Sequence, residues 1–274
     1  MQFLKAKSDD GTHLRLARWG EGDRDVLIVH GLAEHAGRYT HVAEAMAAAG
    51  WRVTLVELRG HGESQGKPGH CRFWHRYVED VQAAAAAVGR PFVLVAHSMG
   101  GLVAFDTLRE PITPRCVAVA ASNPFLGLTE AIPAWKDVAA RVASKLTPTL
   151  SIPTDLDSSH LSHDEDVIRA YEADPLVFGT VTARWATEME KAQQRVMADA
   201  PGGTLPLRMM IGTGDRICDP AAGRRLARDW GGTVEEVVYD GLYHELFNEV
   251  ERQSIIADLI TWMDGVWSEH GASA

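Results

Sequence analysis

The stretch Phe92-Val93-Leu94-Val95-Ala96-His97-Ser98-Met99-Gly100-Gly101 decides how this chain is read. Its first five residues are apolar without alternation, which predicts a strand covered on both faces over Phe92–Ala96. A helical pattern follows over Leu102–Arg109 and ends before Pro111. Between strand and helix stands a serine, with glycine two residues after it and alanine two residues before. This is the nucleophile-elbow pattern G-x-S-x-G with Ala96 in place of the first glycine. A serine on so sharp a turn projects its Oγ above the sheet. Residues two positions away must be small, or their Cβ atoms would strike the adjacent strand and helix. Alanine adds one methyl to glycine and is the smallest departure. The bland alternative is an ordinary Ser-Gly loop, which the strand–turn–helix context disfavours.

The same alternation extends outward. Val26–Val29, Arg52–Val56, Val117–Ala120, Leu207–Ile211 and Val234–Tyr239 read as strands. Val42–Ala49, Tyr77–Val88, Ala221–Trp230 and Glu245–Trp267 read as helices, with Gly50 and Gly89 as stops. Thr12–Arg18 alternates and suits an antiparallel edge strand. The class is α/β, a mostly parallel central sheet flanked by helices. The alternation breaks between Phe125 and Pro201. Trp135, Val138, Val142 and Leu146 fall at helical spacing there, Tyr171–Val177 and Arg184–Met197 follow, and no strand is read. The expectation is a core of residues 1–124 and 202–274, with a mostly helical cap of residues 125–201 inserted after a core strand.

A serine needs a base to take its proton and an acid to orient that base. At an elbow these follow in the order Ser, Asp or Glu, His. Asp215 stands just past the strand Leu207–Ile211, and His244 stands in the loop before the last helix. The predicted set is Ser98, Asp215 and His244. An oxyanion hole needs the N–H after the nucleophile and another from the loop after an early strand. Met99 and Leu32 are the expected donors, with Gly31 allowing close approach. His30 then reads as scaffold for that loop.

Together these stretches resemble the monoacylglycerol lipase and lysophospholipase branch of the serine α/β-hydrolases. The resemblance rests on His30-Gly31-Leu32-Ala33-Glu34-His35 with Arg38-Tyr39, Arg59-Gly60-His61-Gly62-Glu63-Ser64, and Ala96–Gly101. Asp174-Pro175-Leu176-Val177 with Arg184-Trp185, Gly214-Asp215-Arg216-Ile217, and Tyr243-His244-Glu245 with Asn248-Glu249 complete it. It implies the α/β-hydrolase fold, Ser98 as nucleophile, His244 as general base, Asp215 as orienting acid, and Leu32 and Met99 as oxyanion donors. It implies hydrolysis of monoacylglycerols or similar single-chain acyl esters, with no cofactor. Rivals that keep the triad are a lysophospholipase, a short-chain carboxylesterase and a peptidase. A catalytically silent binding protein is the rival of another class.

Other residues invite sharper readings than they support. His35, His41 and His61 read as structural or surface residues, because histidine more often hydrogen-bonds than catalyses. None of the histidines has a metal-ligand spacing, so no metal site is expected. His97 is expected to face away from the nucleophile in a packing role. Asp219 before Pro220 reads as a helix cap and Asp240 as a turn residue. Glu249 reads as an acid in the first turn of the last helix. Cys218, three residues past Asp215, reads as packing.

Composition bounds the rest. Of 274 residues, 46% are hydrophobic and 23% charged, which excludes wholesale disorder. Lys+Arg is 27 and Asp+Glu is 37, a net charge of −10. That argues against nucleic acid and against electrostatic docking on anionic lipid. No signal-like run or long apolar span is read, so a cytoplasmic protein is expected. Its partner is a small acyl ester, and lipid-surface contact would come through apolar cap residues. Three widely spaced cysteines argue against a disulfide framework.

Overall fold

The computed structural model describes residues 1–112, 115–130 and 133–271. The first half of the chain gives β1 (Gln2–Lys7), β2 (His13–Trp19), β3 (Arg24–Val29), α1 (Thr40–Ala48) and β4 (Trp51–Val56). It continues with α2 (His75–Val88), β5 (Phe92–His97), α3 (Met99–Thr107) and β6 (Cys116–Ser122). Then come α4 (Ala134–Leu146), β7 (Ser151–Pro153), α5 (Glu165–Ala173), β8 (Thr180–Thr182) and α6 (Ala183–Asp199). The chain closes with β9 (Leu207–Gly212), α7 (Pro220–Asp229), β10 (Val234–Tyr239) and α8 (Arg252–His270).

Eight strands form one sheet in the order β1-β2-β4-β3-β5-β6-β9-β10. Pairing is parallel from β4 to β10, while β2 runs antiparallel to both β1 and β4. Every residue of β5, β6 and β9 is buried, as continuous apolar strands between two helical layers must be. The sheet divides the core. One apolar cluster gathers residues of α2, α3, α6 and α7, and the other gathers those of α1 and α8. This is the α/β-hydrolase fold. Its parallel register brings the C-terminal ends of β5, β6 and β9 side by side, with the loop after β10 adjoining them.

Several expectations change. β2 is not an edge strand, because β1 covers it in register from Gln2 opposite Arg18 to Lys7 opposite His13. Only Ala6 of β1 is buried, so that strand carries little apolar signal. The helix read over Tyr171–Val177 lies at Glu165–Ala173 instead. Asp164 caps it by accepting from the Asp166 N–H, and the chain turns extended at Asp174 before Pro175. The last helix starts at Arg252 rather than Glu245, after a 3-10 turn at Leu246–Asn248. The span read as strandless holds β7 and β8, which pair antiparallel.

Candidate active site

Ser98 sits between β5 and α3 at φ 51° and ψ −120°, a conformation that L residues rarely hold. The turn is tight on both sides. A Cβ on Gly100 would lie 2.3 Å from the Val29 carbonyl oxygen, and one on Gly101 would lie 2.6 Å from Pro124. Ala96 is fully buried between Val29 of β3 and Ala121 of β6, so the added methyl fits.

Three sequence-predicted residues meet in one chain of hydrogen bonds. His244 Nε2 lies 2.9 Å from Ser98 Oγ, and His244 Nδ1 lies 2.7 Å from Asp215 Oδ2. All three side chains are buried. The two oxygens of Asp215 divide their work. Oδ1 accepts the N–H groups of Ile217 and Cys218 at 2.8 and 2.9 Å, which fixes the carboxylate. Oδ2 can only accept, so it accepts a hydrogen bond from Nδ1–H, which keeps the proton on Nδ1 and leaves the Nε2 lone pair toward the serine hydroxyl. Burial is the largest single influence and works to lower the imidazole pKa, but the adjoining Asp215 carboxylate and the Cys218 sulfur together raise it well above the ordinary histidine value.

Met99 is the first residue of α3, where a backbone N–H has no helical acceptor. Leu32 follows Gly31, whose backbone packs so close that a Cβ there would lie 3.1 Å from Ser98 Cβ. The loop holding Leu32 is braced by a carboxylate that sequence reasoning missed. Glu34 accepts the Gly31 N–H at 2.6 Å and the Tyr39 hydroxyl at 2.7 Å. Arg38 contacts Glu34 and binds both oxygens of Glu245, the residue after His244, at 2.7 and 2.5 Å. Burial opposes the charge on Glu34, but its neighbours His97, Arg38 and Tyr39 hold its pKa at about 2. His30 is scaffold, accepting the Leu58 N–H through Nε2 and donating to the Gly31 carbonyl through Nδ1.

His35 pairs with Asp174 at 2.7 Å, His41 donates to the Phe247 carbonyl, and His61 donates to the Arg59 carbonyl. All three are structural, as read. Asp219 caps α7, and Asp240 accepts from Thr213 in its turn. His97 has the packing role expected of it but on the side of the base: its ring packs on that of His244, with centroids 4.7 Å apart, while Nδ1 donates to the Ser122 carbonyl. Glu249 departs from expectation. It precedes α8 and is fully buried, accepting from Tyr243 N–H at 2.8 Å, His163 N–H at 3.1 Å and His163 Nδ1 at 2.9 Å. Cys218 is buried, with Sγ 3.9 Å from Ser98 Oγ, and burial pushes its thiol pKa up. Asp215, Cys218 and His244 bring an oxygen, a sulfur and a nitrogen within 4.8 Å of one another, yet both imidazole nitrogens are already engaged.

Ser98 at the elbow, the buried His244 imidazole and the Asp215 carboxylate thus lie together at the strand ends, and the chain around them matches known proteins over most of its length. The profile of the family described as serine aminopeptidase, S33 matches residues 20–251. The chain belongs to this family. It is 36% identical over 247 residues to a monoacylglycerol lipase of Mycolicibacterium smegmatis, covering 87% of each chain. It is 30% identical over 244 residues to phospholipase YtpA of Bacillus subtilis, covering 84% of this chain and 91% of that one. Among solved structures it is similar to the monoacylglycerol lipase of Paleococcus ferrophilus. The TM-score is 0.84 at 27% identity, over 97% of this chain and all of that one.

Proposed function

We propose that the protein is a serine ester hydrolase that cleaves monoacylglycerols or similar single-chain acyl esters. The observation that carries this reading is the unbroken hydrogen-bond chain Asp215–His244–Ser98 at the mouth of the sheet. His244 takes the Ser98 proton as Oγ attacks the ester carbonyl. The N–H groups of Leu32 and Met99 receive the oxyanion, each worth roughly 3–4 kcal/mol of barrier. Imidazolium then protonates the departing alcohol, and water repeats the cycle on the acyl-enzyme. The monoacylglycerol lipase of Mycolicibacterium smegmatis supports the substrate class. The Bacillus subtilis phospholipase supports a second reading, lysophospholipid hydrolysis by the same triad.

Residues 125–201 act in this reading as a cap over the site. The outer face of α4 supports lipid contact: Trp135, Val138, Val142 and Leu146 are 69, 59, 50 and 77% exposed. Its inner face is polar, with Ser144 Oγ 2.8 Å from Thr187 Oγ1 of α6. An apolar stripe turned toward solvent suits a chain-bearing substrate held in a micelle or bilayer. The deciding experiment is a hydrolysis panel of monoacylglycerols of rising chain length beside a lysophosphatidylcholine and short p-nitrophenyl esters. Monoacylglycerols are expected to be cleaved best, and a clear preference for the lysophospholipid reverses the ranking. Ser98→Ala is expected to abolish both turnover and labelling by a fluorophosphonate. Retained turnover removes Ser98 from the mechanism.

A further inference from the structure

The turn after β6, Ser122-Asn123-Pro124-Phe125, touches the loops of all three residues proposed to carry the chemistry. At the elbow, the Ser122 carbonyl accepts the Ser98 N–H at 3.0 Å and the Ser98 carbonyl accepts the Phe125 N–H at 2.9 Å. The Asn123 side chain reaches the other two loops. Its Oδ1 accepts the N–H of Gly212 at 2.9 Å, at the end of β9 and just before the Asp215 loop. Its Nδ2 donates to the carbonyls of Tyr243 and His244 at 3.1 and 2.8 Å. These partners fix which way the amide points, because Gly212 N–H can only donate and the two carbonyls can only accept. The joint therefore needs one acceptor and two donors on one short side chain, which is the inventory of asparagine. The residue is 3% exposed and sits at φ 39°, left-handed backbone that asparagine tolerates better than most residues with a Cβ.

We propose that Asn123 is a positioning residue for the hydrolysis. It rests on the reading that Ser98, His244 and Asp215 act together. By bridging the end of β9 and the His244 loop, it sets their separation, and with it the 2.7 Å contact between Asp215 and His244. It touches none of the reacting atoms, so its loss acts through the placement of the imidazole. Such a fault appears in kcat and in the ionisation of His244, and leaves KM alone.

The test compares wild type, Ser98→Ala, Asn123→Gly and Asn123→Asp on a short p-nitrophenyl ester, with melting temperatures and pH profiles. Ser98→Ala tests the underlying reading by itself: if it keeps turning over, that reading fails whatever Asn123 does. With that control inactive, Asn123→Gly removes the amide yet suits the left-handed backbone. Its kcat is expected to fall about 100-fold, the scale of a ~1 Å misplacement, with KM unchanged. The acid limb of its kcat/KM profile is expected to move to lower pH, since a displaced carboxylate raises the imidazole pKa less. Asn123→Asp keeps the size and tolerates the same backbone but turns an acceptor oxygen on two carbonyls, so it is expected to lose kcat as well. A wild-type kcat and pH limb in the glycine variant, whatever its melting temperature, overturns the proposal. So does an aspartate variant with wild-type kcat, because packing alone would then account for the residue.

Discussion

Asp215 divides its two oxygens between the backbone of its own loop and the His244 ring, so a single-atom change separates these duties. Asp215→Asn preserves size while replacing one acceptor oxygen by a donor. With Oδ1 kept on the Ile217 and Cys218 N–H groups, an NH₂ faces Nδ1 and forces the proton to Nε2, the wrong nitrogen for a base. A loss in kcat of about 10⁴-fold is expected. A base must be neutral, so activity falls as pH drops through the His244 pKa. Removing the carboxylate lowers that pKa and moves the residual activity's acid limb to lower pH. Near-wild-type turnover in Asp215→Asn would transfer the acid role to Asp219 or Asp240. Glu34 makes a prediction about stability instead. Its folded pKa of about 2 lies below the ordinary 4.5, so its contribution is complete above the unfolded value and fades as pH falls from there toward 2. Glu34→Gln is expected to lower stability near neutral pH by up to about 3 kcal/mol, at 1.36 kcal/mol per pKa unit. Thermal melts at a series of pH values check this: the gap from wild type should narrow through the acid range, and a pH-independent gap refutes the electrostatic account.

At the scale of elements, α4 and α6 lie against each other but are anchored differently. The inner face of α6 buries Trp185, Met189, Ala192 and Val196 in the same cluster as the sheet. Only Ser144 of α4 is buried, and that helix is held by polar contacts such as Arg184 to the Ser144 carbonyl at 2.7 Å. Few buried apolar contacts mean low local stability. Hydrogen exchange should therefore be faster in Ala134–Leu146 than in Ala183–Asp199, and equal protection would refute this difference in anchoring. The same contrast explains what could be read in advance. The β5–α3 elbow was legible because parallel strands and tight turns restrict residue type, and Asp215 and His244 followed from strand-end position and order. β1, β7 and β8 were not, because strands with two buried residues at most leave no apolar run. Glu249 and Glu34 were misplaced or missed for a related reason. A buried carboxylate is legible only through its partners, and Glu249 takes two of its donors from His163, some eighty-six positions away. Asn123 has the same character, its bonds running 89 and 121 positions along the chain.

For the whole molecule, a net charge of −10 and an outward apolar helix make opposing demands at a lipid surface. Among the described residues, no helix is long and apolar enough to cross a membrane. Of the three cations on α4, Lys136 pairs with Asp155 and Arg141 with Asp137 and Glu190, so among the described residues of that helix Lys145 alone is left to set against the net charge of −10. Attraction must then come from apolar area. A tryptophan side chain carries ~200 Å², worth about 5 kcal/mol at 25 cal/mol per Å² if wholly removed from water. Even partial insertion of Trp135 is worth more than the ~1.4 kcal/mol that separates a tenfold change in binding. Uncharged phosphatidylcholine vesicles should therefore bind the protein equally at low salt and near 1 M salt, where charges a few ångströms apart are screened. Anionic vesicles should bind it less at low salt and recover as salt rises, because screening removes the repulsion between like charges. Trp135→Asp should weaken sedimentation with uncharged vesicles by at least about tenfold while leaving hydrolysis of a short soluble ester intact. Binding that falls as salt rises would show that local basic groups, not the apolar stripe of α4, make the contact.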